Sequence, residues 1–342
     1  IWSHKNMAHV IVPGESLSVP FLPNLLSRNR HLQSILATTR VRNNGRNAMM
    51  NAARQVIVDG GAGVRLLGYH SVQPDQPGKA LAILIHGWEG SSESAYIQSS
   101  GKYLFEKGYD VFRLNLRDHG ESHHLNEGLF HGALIEETVA AVSNICRLAN
   151  GMPVYLVGFS LGGNFGLRIA LRQSLCRIVN LRHIFAISPP LDPYMATRCI
   201  DESLPFYRYY FLSKWKRSLR RKQALFPDKY EFNGILNLNT CVSLTVAIMP
   251  WYPEYPDCRT YFRQYTLLDD AFSDLSMPVT IVTADDDPFI PVADFRRLKK
   301  NPHLLLLIQR YGGHCGFLEF FPYASWYDRL IDSTIEKDIM TG

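Results

Sequence analysis

Short, almost wholly apolar runs alternate with helix-like segments along most of this chain, and no other feature restricts its fold as tightly. The first run is Ala80 to Ile85, followed by a helix-like stretch from Ser94 to Lys107 that Gly108 stops. Tyr109 to Leu114 comes next, then an amphipathic segment from His131 to Leu148 closed by Asn150-Gly151. A strand from Val154, a helix from Asn164 to Gln173 and the strand His183 to Ile187 complete this part. Strands that are apolar on both faces must be covered on both faces, which requires a mostly parallel sheet between two layers of helices. Gln55 to Asp59 and Val64 to Tyr69 read as an added hairpin.

The alternation pauses after Pro190 and resumes at Met277 to Thr283, with a helix near Val292 to Lys300, the strand His303 to Ile308 and a final helix from Phe320. Residues on both sides of the pause complete one sheet. The expected organisation is an arm over residues 1–50, a core over 51–190 and 276–342, and a helical cap insertion over 191–275. In the arm, Asn29 to Leu36 is the one helix candidate, and periodicity gives the arm no chemistry. A length of 342 residues with 46% hydrophobic and 20% charged side chains supplies ample core for one large α/β domain.

Val154 to Phe159 runs directly into Gly158-Phe159-Ser160-Leu161-Gly162 and then a helix. A serine hydroxyl is a poor nucleophile at neutral pH and must be presented sharply to a base. A strand-to-helix elbow does this, with glycines on either side letting the chain turn tightly, and the helix end directs free N–H groups at developing negative charge. The base and its orienting acid are sought where strands end. The strand ending at Thr283 empties into Asp285-Asp286-Asp287-Pro288, which reads as evenly as turn or N-cap chemistry as it does as a functional acid. The last strand empties into Gly312-Gly313-His314. Ser160, then an aspartate, then His314, each after a strand, is the chain order of the α/β-hydrolase triad. The expected oxyanion donors are the backbone N–H groups of Leu161 and of Trp88, the latter in the loop after Ile85. His86 is expected to hold that loop.

Other chemistries find little support. The net charge of +5 is too small, without a dense patch, to argue for nucleic acid. No apolar run is long enough to span a membrane, and the start lacks the apolar stretch of a signal peptide. Met7 is a candidate for the natural first residue. Cysteines 146, 176, 199, 241, 258 and 315 have no Cys-x-x-Cys spacing and read as reduced thiols of a cytoplasmic protein. His119, His123, His124 and His131 lack the spacing of zinc ligands, so neither metal nor cofactor is expected. In the insertion, Tyr207, Phe211, Trp215 and Leu219 recur every four residues and share one helix face. Their helix is either a cap element with a solvated basic side or one drawn to a membrane surface or an anionic substrate.

The chain resembles the YheT-like hydrolases, relatives of the abhydrolase-domain lipid esterases. The likeness is carried by Arg28-Asn29-Arg30-His31-Leu32-Gln33-Ser34, His86-Gly87-Trp88-Glu89-Gly90-Ser91, Asn115-Leu116-Arg117-Asp118-His119-Gly120-Glu121-Ser122 and Asp286-Asp287-Pro288-Phe289. Arg30 stands where that family usually has Gly or Pro. The resemblance implies that Asp287 is the acid, with Asp286 as the fallback, and that the protein is an esterase. The expected activity is hydrolysis of a small-molecule ester of short to medium acyl chain through an acyl-enzyme, without cofactor. An acyltransferase, or a monoacylglycerol or phospholipid hydrolase, is the alternative. Trp88, Phe159, Phe206 and Tyr210 are the expected substrate contacts, with Trp251 and Tyr252 also placed over the site.

Overall fold

The computed structural model describes residues 9–11, 19–39, 47–320 and 324–341. The expectation about Met7 lies outside them, as do positions 40–46 of the polar stretch in the arm. The N-terminal elements are β1 (His9–Ile11), α1 (Arg30–Thr38), α2 (Ala48–Asn51), β2 (Ala53–Asp59) and β3 (Arg65–Ser71). The central ones are β4 (Leu81–Ile85), α3 (Ala95–Glu106), β5 (Asp110–Leu114), α4 (Ile135–Leu148), β6 (Val154–Phe159), α5 (Leu161–Arg172) and β7 (Leu181–Ile187). Four helices follow: α6 (Pro193–Glu202), α7 (Pro205–Leu225), α8 (Cys241–Ile248) and α9 (Cys258–Arg263). The chain closes with β8 (Val279–Ala284), α10 (Val292–Arg296), β9 (Leu304–Gln309), β10 (Leu318–Phe320), β11 (Ala324–Ser325) and α11 (Trp326–Thr341).

Among the described residues, nine strands form one sheet in the order β1-β9-β8-β7-β6-β4-β5-β3-β2. Neighbours from β5 through β9 run parallel, and β1, β2 and β3 join at the edges by antiparallel pairing. The order reverses at β4, which lies between β5 and β6, so a crevice opens at the carboxyl ends of β4 and β6. Each central strand divides its side chains between two cores. Leu156 faces α4 and α5, whereas Tyr155, Val157 and Phe159 face α3 and α11. β7 and β8 are paired neighbours although the whole helical segment α6–α9 lies between them in sequence.

Several boundaries differ from those the sequence suggests. α4 begins at Ile135 rather than His131, because the Gly132 N–H donates to the Tyr261 hydroxyl (2.9 Å) and residues 131–134 form a turn. α10 ends at Arg296, after which the Lys299 N–H donates to the Asp269 carbonyl (2.9 Å). Phe320 lies in β10, and α11 starts at Trp326. β1 was not apparent in the arm.

Candidate active site

Ser160 caps the start of α5 with φ 51° and ψ −119°, a backbone conformation that side chains rarely adopt. The surrounding close approach explains its glycines. A Cβ on Gly158 would lie 2.2 Å from the Gly162 carbonyl oxygen, and one on Gly162 would lie 2.3 Å from that of Ile85. The elbow thus depends on two residues without side chains, jammed between β6, β4 and α5.

His314 reaches this serine from the loop after β9, with Nε2 3.0 Å from Ser160 Oγ. Its Nδ1 lies 2.9 Å from Asp287 Oδ2, and the Asp287 side chain is wholly buried. The other Asp287 oxygen accepts from the N–H groups of Phe289 (2.9 Å) and Ile290 (3.1 Å), which fixes the carboxylate against rotation. Burial pulls the His314 imidazole down, but the charge and hydrogen bond of Asp287, together with Cys315, hold it well above its ordinary value of 6.5. Asp286 does something else: its Oδ1 accepts the Gly313 N–H at 2.9 Å.

The His314 loop is tied by three successive N–H groups to three different elements. Gly313 donates to Asp286 after β8, His314 to Ser34 Oγ in α1 (2.9 Å), and Cys315 to Ser188 Oγ at the end of β7 (3.2 Å). Ser34 in turn donates to the Arg30 carbonyl (2.7 Å), while Gln33, 1% exposed, exchanges hydrogen bonds with the backbone of Leu318. α1 itself is capped by Asn29, whose side chain accepts from the N–H groups of His31 and Leu32. The arm therefore braces the loop that carries the imidazole. Sequence periodicity did not point to this contribution; the only signal was the Arg28–Ser34 motif.

The loop after β4 lies directly against Ser160, since a Cβ on Gly87 would be 3.0 Å from Ser160 Cβ. Among the described residues, no hydrogen bond from the Trp88 N–H is found within the chain, and Leu161 opens α5, where the first N–H groups of a helix have no intrahelical partner. His86 is fully buried, with Nδ1 2.7 Å from the Gly87 carbonyl oxygen and Nε2 accepting the Leu116 N–H (3.1 Å). His119 likewise joins loops, with Nε2 accepting the Glu89 N–H (3.2 Å) and Nδ1 2.7 Å from the Arg117 carbonyl oxygen. Burial lowers His119 to about 4, so it is neutral at physiological pH.

Two cavities open on Ser160 and His314 and share Trp88, Phe211 and Phe289 as walls. The smaller runs beneath α6, α8 and α9 past Leu161, Ile200, Ile248 and Tyr252. The larger runs between α1 and the start of α7. The Trp88 ring stacks on Phe211 at 5.5 Å, and Phe289 meets the His314 ring edge-on at 5.1 Å. Phe206 and Tyr210 line only the larger cavity. The expectation for Phe159 needs correction. Its side chain has no exposed surface and packs against Tyr96 and Tyr327, because strand alternation turns it toward α3 and α11, and it lines neither cavity. Trp251 also lines neither cavity, and its ring packs on Phe232 instead.

Comparison with known proteins supports the same architecture. The profile of the α/β hydrolase fold matches residues 82–224. The chain is 24% identical over 286 residues to the mouse phospholipase ABHD3, covering 78% of this chain and 66% of that protein. It is 21% identical over 279 residues to the monoacylglycerol lipase of Saccharomyces cerevisiae, covering 76% and 61%. The aligned region thus spans a little under two thirds of each relative. An esterase structure from Pyrococcus furiosus superposes with a TM-score of 0.54 at 14% identity, covering 94% of this chain and 98% of that one. The chain has the α/β-hydrolase fold.

Proposed function

We propose that this protein is a serine carboxylic-ester hydrolase whose triad is Ser160, His314 and Asp287, of the YheT-like type. The observation that carries the reading is the continuous hydrogen-bonded line from Ser160 Oγ through His314 to the buried Asp287 carboxylate. His314 Nε2 takes the serine proton as Oγ attacks the ester carbonyl carbon. The resulting oxyanion is held by the N–H groups of Trp88 and Leu161. His314 then gives that proton to the departing alcohol as the acyl–oxygen bond breaks, leaving an acyl-enzyme. Water, activated by the same imidazole, releases the acid. Asp287 keeps its charge throughout and stabilises the imidazolium.

Helices α6–α9 act as a cap over the reacting carbonyl, and the apolar walls of the smaller cavity suit an acyl chain of short to medium length. The phospholipase and the monoacylglycerol lipase among the relatives support a carboxylic ester as the substrate. Hydrolysis of a graded series of acyl esters by the parent and by Ser160→Ala tests the reading. Loss of at least about 10⁴-fold in kcat for the variant is expected. Equal rates would overturn it.

A further inference from the structure

We infer that the larger cavity holds the alcohol half of the ester and selects an alcohol bearing an anionic group, which Lys214 contacts. This rests on the ester-hydrolase reading above and assigns the two cavities opposite halves of one substrate.

In the smaller cavity three hydroxyls are already engaged: Tyr252 donates to the Phe130 carbonyl (2.8 Å), Thr197 to that of Pro193 (2.7 Å) and Thr245 to that of Cys241 (2.8 Å). Its apolar lining includes Leu161, Ile200, Ile248 and Ile290. An apolar chain is the ligand such a surface favours.

The larger cavity differs in charge. Lys214, from α7, lines it half-buried, donates to the Glu89 carbonyl (3.1 Å) and lies 4.7 Å from the centre of the Tyr210 ring. An ammonium has three N–H donors, and one carbonyl satisfies one of them. Among the described residues no carboxylate forms an ion pair with it. The two acids on the same wall do not neutralise it. Glu93 is engaged with Arg113 at 2.8 Å, and burial pushes Glu89 up to about 8 against the pull of Lys214. A partly desolvated cation with spare donors in the wall of this cavity favours an anion over a neutral hydroxyl. On cleavage the acyl–oxygen bond breaks and the alkoxide takes the His314 proton. The acyl group stays on Ser160 in the smaller cavity, and the anionic alcohol departs through the larger one.

The test compares octanoyl esters of ethanol, glycerol, glycerate and glycerol 3-phosphate, presented as monomers. The parent should hydrolyse the glycerate or phosphate ester with a kcat/KM about tenfold to a hundredfold above that of the glycerol ester. Lys214→Met should bring that ratio close to one, and Lys214→Arg should keep it. Because the readout is a ratio within each protein, partial loss of folded enzyme cancels. Preference for phosphate over glycerate would identify a phosphorylated alcohol, and equal preference would identify negative charge as the feature read; both support the assignment. A ratio near one in the parent, or one unmoved by Lys214→Met, overturns it while leaving the esterase reading intact. Turnover of none of the four esters overturns the esterase reading and this inference with it.

Discussion

Ser160, held at φ 51°, and Asp287, with no exposed side-chain surface, are constrained for different reasons. The serine is strained so that its hydroxyl projects from the elbow; the aspartate is buried so that its charge acts on one partner only. In the proposed mechanism a neutral His314 is the active base, so activity should be lost as pH falls through the imidazole's own value. Asp287 and Cys315 raise that value above 6.5, and the acid limb of kcat/KM in the parent should therefore have its midpoint above 6.5. Asp287→Asn removes the charge that raises it. The limb should move to lower pH while the plateau falls by about 10⁴-fold, as for other triads that lose their acid. A pH–rate profile of both proteins checks this, and a limb that stays in place would mean that Asp287 does not act on His314. Asp286→Asn should leave the limb close to where it is, because that carboxylate faces the Gly313 N–H rather than the imidazole.

At the scale of elements, the least expected feature is α1, which carries no catalytic group yet supplies the acceptor for the His314 N–H. Ser34→Ala removes that acceptor and should lower kcat by about tenfold to a hundredfold, with KM changing less, because a small misplacement of the base is costly. Ser34→Thr keeps an oxygen at the position and should retain most of the rate. Steady-state kinetics of the two variants separates positioning from a general loss of stability. The helix itself was legible, since Asn29 to Leu36 stood out as the one helix candidate of the arm. Its role was not legible, because Ser34 and His314 are 280 positions apart and periodicity reports only neighbours along the chain. The strands β4 to β9 were readable for the opposite reason, being short, apolar and each bounded by a turn. Phe159 was misassigned because nearness to Ser160 in sequence says nothing about which face of β6 a side chain occupies. Tyr207, Trp215 and Leu219 do form the buried stripe that their spacing predicts, but the same face also carries Lys222, 1% exposed, which charge patterning alone would have put in solvent.

Over the whole molecule, that lysine fastens the helical segment to the sheet domain. Lys222 Nζ reaches Asp118 Oδ1 at 2.7 Å and also donates to the carbonyls of Asn126 and Gly128, so α7 and the loop after β5 share a buried ion pair. Breaking it leaves Asp118, 5% exposed, without its counter-charge. Lys222→Met should lower the unfolding free energy by about 3–5 kcal/mol in urea titrations, and replacing Asp118 by asparagine as well, which keeps an acceptor for the Phe130 N–H, should recover part of it. With α7 held in this way, substrate is expected to enter through the larger cavity rather than by wholesale lifting of the helices. All of this depends on one nucleophile lying where the two cavities meet. Mass spectrometry after treatment with a fluorophosphonate tests that claim most directly. One adduct per chain, located on the peptide that contains Ser160 and absent from Ser160→Ala, is the predicted result; no adduct, or one that persists in the variant, would contradict it.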